Sequence, residues 1–193
     1  MSDFAVLLVC SGNICRSPLA EQLFHASLSD LPGLSFSSAG TAALVGQKMD
    51  DRAAEFSRQH GGDPDSHAAR PLTVELIRKA DLVLGMAREH RRKVVQLRPI
   101  GTRTTFTIRE FSRLSEGLRP TKEDLADDIR ARLASTVDLT AARRGRFATP
   151  AFPEDDDVVD PYRQNDEIYA ASNVQIDSAV RTISVALRHV IEL

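Results

Sequence analysis

The sequence predicts an α/β fold: a single three-layer domain in which helices flank a central four-stranded parallel sheet. Two observations predict it. Four short strand-like segments are separated by longer stretches of helical periodicity, the alternation that builds a parallel sheet covered on both faces. At 193 residues, with 42% hydrophobic and 27% charged side chains, the chain has the size and composition of one globular domain with a proper core.

The elements follow in order. Phe4-Ala5-Val6-Leu7-Leu8-Val9 is an unbroken apolar run and reads as a buried strand. Leu19 to Leu28 repeats at helical spacing, with Ser17 as a hydroxyl cap and Pro18 where a missing N–H costs nothing. Leu34 to Ser38 is a second strand, ended by Ala39-Gly40. Asp51 to His60 is amphipathic, and Gly61-Gly62-Asp63-Pro64 stops it. Thr73 to Lys79 reads as a short helix, Leu82-Val83-Leu84 as a buried strand, and Arg88 to Leu97 as a helix ahead of Pro99. Thr105 to Ile108 is the fourth strand. From Asn165 to Glu192, the residues Ile168, Ile176, Val180, Ile183, Leu187 and Ile191 share one helical face.

The stretch 114–157 is read differently. Thr121 to Leu133 is expected to be helical, with Thr121 as cap and Leu125, Ile129 and Leu133 on one side. Arg143-Arg144-Gly145-Arg146 is basic and Glu154-Asp155-Asp156-Asp157 acidic. Both clusters read first as solvated loop. A functional alternative puts Arg143, Arg144 or Arg146 at the mouth of a site, meeting acidic flanks of a substrate.

A net charge of -2 gives no reason to expect nucleic acid or a membrane as partner. No secretory signal pattern and no bilayer-length apolar run occurs. Cys10 and Cys15, close together in one loop, are no disulfide framework of a secreted protein, so a reducing cytoplasm is the expected setting. They lack further ligands at zinc spacing; no metal and no cofactor is expected.

The chemistry concentrates in Cys10-Ser11-Gly12-Asn13-Ile14-Cys15-Arg16-Ser17-Pro18, between the end of the first strand and the start of the first helix. Backbone N–H groups and the helix dipole favour an anion there. A helix N-terminus and an arginine are the surroundings that turn a cysteine into a thiolate nucleophile, here Cys10. Arg16 offers a planar fork that grips two phosphate oxygens. Gly12 is expected to let the backbone close around the ligand, Asn13 to tolerate a left-handed conformation, and Ser17 to donate to the Cys10 sulfur. A phosphate-binding loop after the first strand is the result.

The loop Val9 to Glu21 resembles that of the low-molecular-weight protein tyrosine phosphatases. Ser38-Ala39-Gly40-Thr41, His67-Ala68-Ala69-Arg70, Ala80 to Met86 and Asp160-Pro161-Tyr162 support the resemblance in the family's order. It covers roughly residues 1–113 and 158–193, leaving 114–157 as a family-atypical insertion within one phosphatase domain, 1–193. The resemblance implies hydrolysis of phosphotyrosine through a phosphocysteine at Cys10, with Arg16 as clamp and Asp160 as general acid and base. It places Ser11, Gly12, Asn13, Ile14, Cys15 and Ser17 around the phosphate, Tyr162 and Leu44 beside the ring, and His67 on Asn13. It also implies that Cys15 can form a reversible disulfide with oxidised Cys10, beside its plain reading as a small buried residue. Ala42 to Gly46 is similar to bacterial members that act on tyrosine kinases of polysaccharide export, which makes a phosphotyrosine protein the expected partner. His25, His60, His90 and His189 fall on helical stretches and read as solvent-facing or structural. Arg70 and Asp81 read as structural, paired with backbone.

Two other classes stay open on the sequence. One is a single-cysteine, thiol-dependent arsenate reductase of the same fold. The other is a non-catalytic phosphopeptide-binding module.

Overall fold

The computed structural model describes residues 3–122, 125–126, 128–147 and 150–193. Strands β1 (Phe4–Cys10), β2 (Leu34–Gly40), β3 (Leu82–Gly85) and β4 (Thr105–Thr107) form one sheet in the order β2-β1-β3-β4, each pair parallel. Cys10 lies opposite Gly40, and Val9 opposite both Ala39 and Gly85. The carboxyl ends of β1, β2 and β3 therefore meet at one edge, where ligands bind in open α/β sheets.

The unbroken apolar run of β1 has a simple cause: both of its faces are covered. Phe4, Val6, Leu8 and Cys10 join the larger core with Leu84 and Phe106, while Leu7 and Val9 join a second cluster with Ala39 and Val83. On the larger-core side lie α1 (Arg16–Leu28), α5 (Ile108–Ser115), α6 (Ile129–Ala142) and α7 (Asp166–Glu192), through Leu19, Phe111, Leu133 and Ile176. Helix α2 (Asp51–Gln59) adds Ala53 and Ala54 to that core. The other face carries α3 (Val74–Lys79) and α4 (Arg88–Leu97), through Ile77 and Val94. Side chains set several helix starts. Asp50, Thr73 and Asn165 accept from the N–H of Arg52, Leu76 and Ile168. Thr107 and Glu110 form a capping box that turns Ile108 out of the fourth strand and into α5.

The stretch 114–157 departs from its reading. The helix opens at Ile129, not Thr121, because Asp128 caps it by accepting from the Ala131 N–H at 3.0 Å, and it runs on to Ala142. Part of the expected span, residues 123–124 and 127, lies outside the described residues. Leu133 and Val137 enter the main core, and Leu125 and Ile129 pack against it. The charge clusters are not simply solvated. Arg144 spans Glu110 and the Thr105 carbonyl while its guanidinium lies over the Phe106 ring. Arg143 donates to the Leu114 and Glu116 carbonyls. Both arginines are thereby committed to the scaffold and do not line the pocket described below. Among the described residues, no helix is long and apolar enough to cross a membrane.

Candidate active site

The loop after β1 is a backbone cradle, and its carbonyls show why. Cys10, Ser11 and Gly12 carbonyls accept from the N–H groups of Thr41, Ala42 and Leu44; the Ile14 carbonyl accepts from Asp50 N–H. The Asn13 carbonyl accepts from His67 Nε2 at 2.7 Å, and the Cys15 carbonyl from Leu19 N–H. With its carbonyls turned outward, the loop presents N–H groups to its interior, a concavity suited to an anion.

Asn13 is the hub. It sits in the left-handed region at φ 56°, fully buried. Its Nδ2 donates to Ser17 Oγ (3.0 Å) and Ser38 Oγ (2.8 Å), and its Oδ1 accepts from Arg70 N–H (2.9 Å). Arg70 Nε also holds the Ser38 carbonyl, and Asp81 accepts from Ala5 N–H. Helix α1 starts at Arg16, so Ser17 lies in its first turn and is not its cap. The hydroxyl is spent elsewhere: it accepts from Asn13 Nδ2 and lies 3.0 Å from Cys10 Sγ, and Asn13 N–H reaches the same sulfur at 3.2 Å. A hydroxyl and a backbone N–H beside one sulfur are both able to donate to it when it carries charge.

Within the protein itself the tight glycine is Gly40 rather than Gly12. The nearest atoms to a Cβ on Gly12 belong to Ile14 and Leu44, at 3.6 Å and 3.9 Å. A Cβ on Gly40 would stand 2.5 Å from the Ser11 carbonyl oxygen. Glycine at the end of β2 therefore lets the cradle lie against the sheet.

Arg16 is buried and faces the acidic loop. Its Nη1 donates to the Val158 carbonyl at 3.3 Å and its Nη2 to Asp160 Oδ2 at 2.5 Å. Asp157 accepts from the Arg88 backbone N–H (2.7 Å) and side chain, and its carbonyl accepts from Arg109. Asp156 pairs with Arg113, Val158 N–H bonds the Met86 carbonyl, and Val159 N–H bonds Gln175. One pocket brings together Cys10, Ser11, Gly12, Ile14, Cys15, Arg16, Leu44, Asp160 and Tyr162. Asn13 and Ser17 stand behind it, and His67 braces Asn13 from outside.

Sequence reasoning missed three side chains. Tyr169 of α7 donates to Asp50 Oδ2 at 2.8 Å and lies 3.7 Å from Cys15 Sγ. Burial pushes the Cys15 pKa up to about 12, so it is a neutral thiol at pH 7, and burial also raises that of Tyr169. His90 is not at the surface. It is 1% exposed, its Nε2 lies 3.0 Å from Ser11 Oγ, and burial followed by Arg16 lowers its pKa to about 4.

Comparison with known proteins fits this geometry. The family model described as low molecular weight phosphotyrosine protein phosphatase matches residues 5–132. The chain belongs to that family. The match ends inside the stretch 114–157. The probable low molecular weight protein-tyrosine-phosphatase EpsP of Ralstonia solanacearum is 36% identical over 136 residues, 70% of this chain and 86% of EpsP. The low molecular weight protein tyrosine phosphatase of T. tengcongensis superposes with a TM-score of 0.66 at 29% identity, covering 94% of this chain and 97% of that one. The YwlE arginine phosphatase of Geobacillus stearothermophilus shares the fold, with a TM-score of 0.68 at 23% identity over 96% of this chain and 93% of its own.

Proposed function

We propose that this phosphoric monoester hydrolase removes phosphate from protein phosphotyrosine through a phosphocysteine intermediate. One observation carries the reading: the Cys10 sulfur lies at the base of an N–H-lined cradle that shares its pocket with Arg16, Asp160 and an apolar wall. The cradle and Arg16 hold the phosphoryl oxygens, whose charge they match best as the transition state forms. Ile14, Leu44 and Tyr162 flank an aryl ring. The Cys10 thiolate attacks phosphorus, the P–O bond to the ring breaks, and Asp160 gives its proton to the leaving oxygen. Water then attacks the phosphocysteine and loses a proton to Asp160. The S–P bond breaks, releasing phosphate and restoring the thiolate. Asp160 must first leave Arg16, whose Nη2 it holds here; a bound phosphate competes for the same donor.

The phosphatase family to which the chain belongs and the apolar wall favour this over a thiol-dependent arsenate reductase and over a binding module without turnover. Resemblance of the loop Ala42 to Gly46 to that of bacterial members makes a tyrosine kinase of polysaccharide export the first protein substrate to try. The test is hydrolysis of p-nitrophenyl phosphate and a phosphotyrosine peptide, with chelator and reductant present, by wild type, Cys10→Ser and Asp160→Ala. Wild-type turnover lost in Cys10→Ser and reduced about a hundredfold or more in Asp160→Ala is expected. Turnover surviving in Cys10→Ser removes the proposal, and preference for phosphoarginine over phosphotyrosine would move the substrate class.

A further inference from the structure

Ser11 follows the nucleophile and lines the pocket that holds Cys10, Arg16 and Asp160. Its partner His90 is delivered by the first turn of α4. Gly85 makes the room: a Cβ there would stand 3.0 Å from the Arg91 nitrogen and 3.1 Å from His90 Cβ. Among the described residues, one ring nitrogen of His90 is engaged: Nε2 lies 3.0 Å from Ser11 Oγ, whereas Nδ1 is buried with no hydrogen-bond partner among them.

That orphan atom decides the tautomer. A proton on Nδ1 would leave a buried donor unmet and would draw the Ser11 proton onto Nε2. A proton on Nε2 leaves only an acceptor lone pair unmet, and unmet buried donors are the rarer case. Glu89 Oε1, 3.5 Å from Nε2, also favours the proton there. The imidazole therefore donates to Ser11 Oγ, and Ser11 keeps its own proton for the pocket. Ser11 lines the same pocket as Arg16 and Asp160, so its hydroxyl shares that pocket with the general acid.

We propose that the Ser11 hydroxyl donates a hydrogen bond to the apical oxygen of the phosphoryl group, with His90 as the positioning residue that aims it. The apical oxygen is the ester oxygen in the first half-reaction, the attacking water in the second, and the fourth oxygen of bound phosphate. Ser11 transfers no proton; Asp160 does. The inference rests on the phosphatase reading above.

Four variants test it: Ser11→Ala, His90→Gln, His90→Leu and Ser11→Ala with His90→Leu. Glutamine restores an amide N–H in place of Nε2–H, and leucine does not. The readings are kcat/KM on p-nitrophenyl phosphate and the Kd of inorganic phosphate by calorimetry. Ser11→Ala and His90→Leu should each lower kcat/KM and weaken phosphate binding about three- to tenfold. His90→Gln should stay within about twofold of wild type on both readings. His90→Leu added to Ser11→Ala should cost nothing further. Wild-type values in Ser11→Ala would overturn the proposal. So would equal losses in His90→Gln and His90→Leu, or a His90→Leu loss that persists without Ser11. The phosphate titration needs no turnover: a wild type that hydrolyses nothing removes the phosphatase reading, while Kd in Ser11→Ala still decides the donor. Should His90→Leu fail to fold, Ser11→Ala and His90→Gln carry the test.

Discussion

The nucleophile loop and the acid loop face each other across one pocket, yet they are held by different physics. Residues Cys10 to Ser17 are fixed by neutral, buried hydrogen bonds that converge on Asn13 and on outward carbonyls. Residues Asp156 to Asp160 hang largely on arginines: Arg113 on Asp156, Arg88 and Arg109 on Asp157, Arg16 on Asp160. Buried neutral networks are insensitive to salt and costly to break, whereas ion pairs near water are screened and exchange partners readily. The difference suits the two tasks. A cradle must keep its shape between turnovers, while the acid must trade Arg16 for a leaving group.

Asn13→Ala should break the comparison hardest. It strands donors and acceptors in the core and leaves alanine in a left-handed conformation, on the order of 3 to 5 kcal/mol of stability by urea unfolding, with turnover lost. Next comes pH. His90 has its pKa lowered to about 4 in the fold, below its ordinary 6.5. Between those values the unfolded chain takes up a proton that the folded chain refuses, so stability is full above pH 6.5 and falls as pH drops toward 4. The loss is about 3 kcal/mol, and urea melts of wild type against His90→Gln should show that term vanish in the variant.

The local parts of this account were legible in the sequence and the long-range parts were not. Strands β1 and β3 read as apolar runs because both sheet faces are covered, and the nucleophile loop and the Asp-Pro-Tyr single out Cys10, Arg16 and Asp160, which the fold brings to one pocket. Ser11 and His90 are 79 residues apart, so no periodicity joins them, and an amphipathic helix hides which polar residue turns inward. Gly40 matters because a Cβ there would stand 2.5 Å from the Ser11 carbonyl oxygen of another segment, which its own neighbours do not reveal. Arg143 and Arg144 looked solvated because a run of charge in sequence says nothing about carbonyls and aromatic faces waiting elsewhere. Helix α6 was displaced along the chain because its cap is Asp128 and not Thr121.

Two smaller effects sharpen the contrast. Asp157→Ala releases Arg88 and uncaps the start of α4, loosening the acid loop and leaving the cradle intact. It should lower kcat about three- to tenfold with KM and phosphate affinity nearly unchanged, read by steady-state kinetics. Arg163, at φ 60°, is a non-glycine residue in the left-handed region just after the acid loop. Arg163→Gly should raise stability by up to about 1 kcal/mol in thermal melts, with little change in kcat.

The most direct test of the central claim is to trap the intermediate. Asp160→Ala, mixed with an aryl phosphate and quenched in acid within the first turnover, would be digested and weighed peptide by peptide. The account predicts one phosphoryl group on the peptide bearing Cys10 and Cys15, lost in Cys10→Ser and retained in Cys15→Ser. Turnover with no phosphorylated cysteine, or a phosphoryl group that follows Cys15 instead, would contradict it.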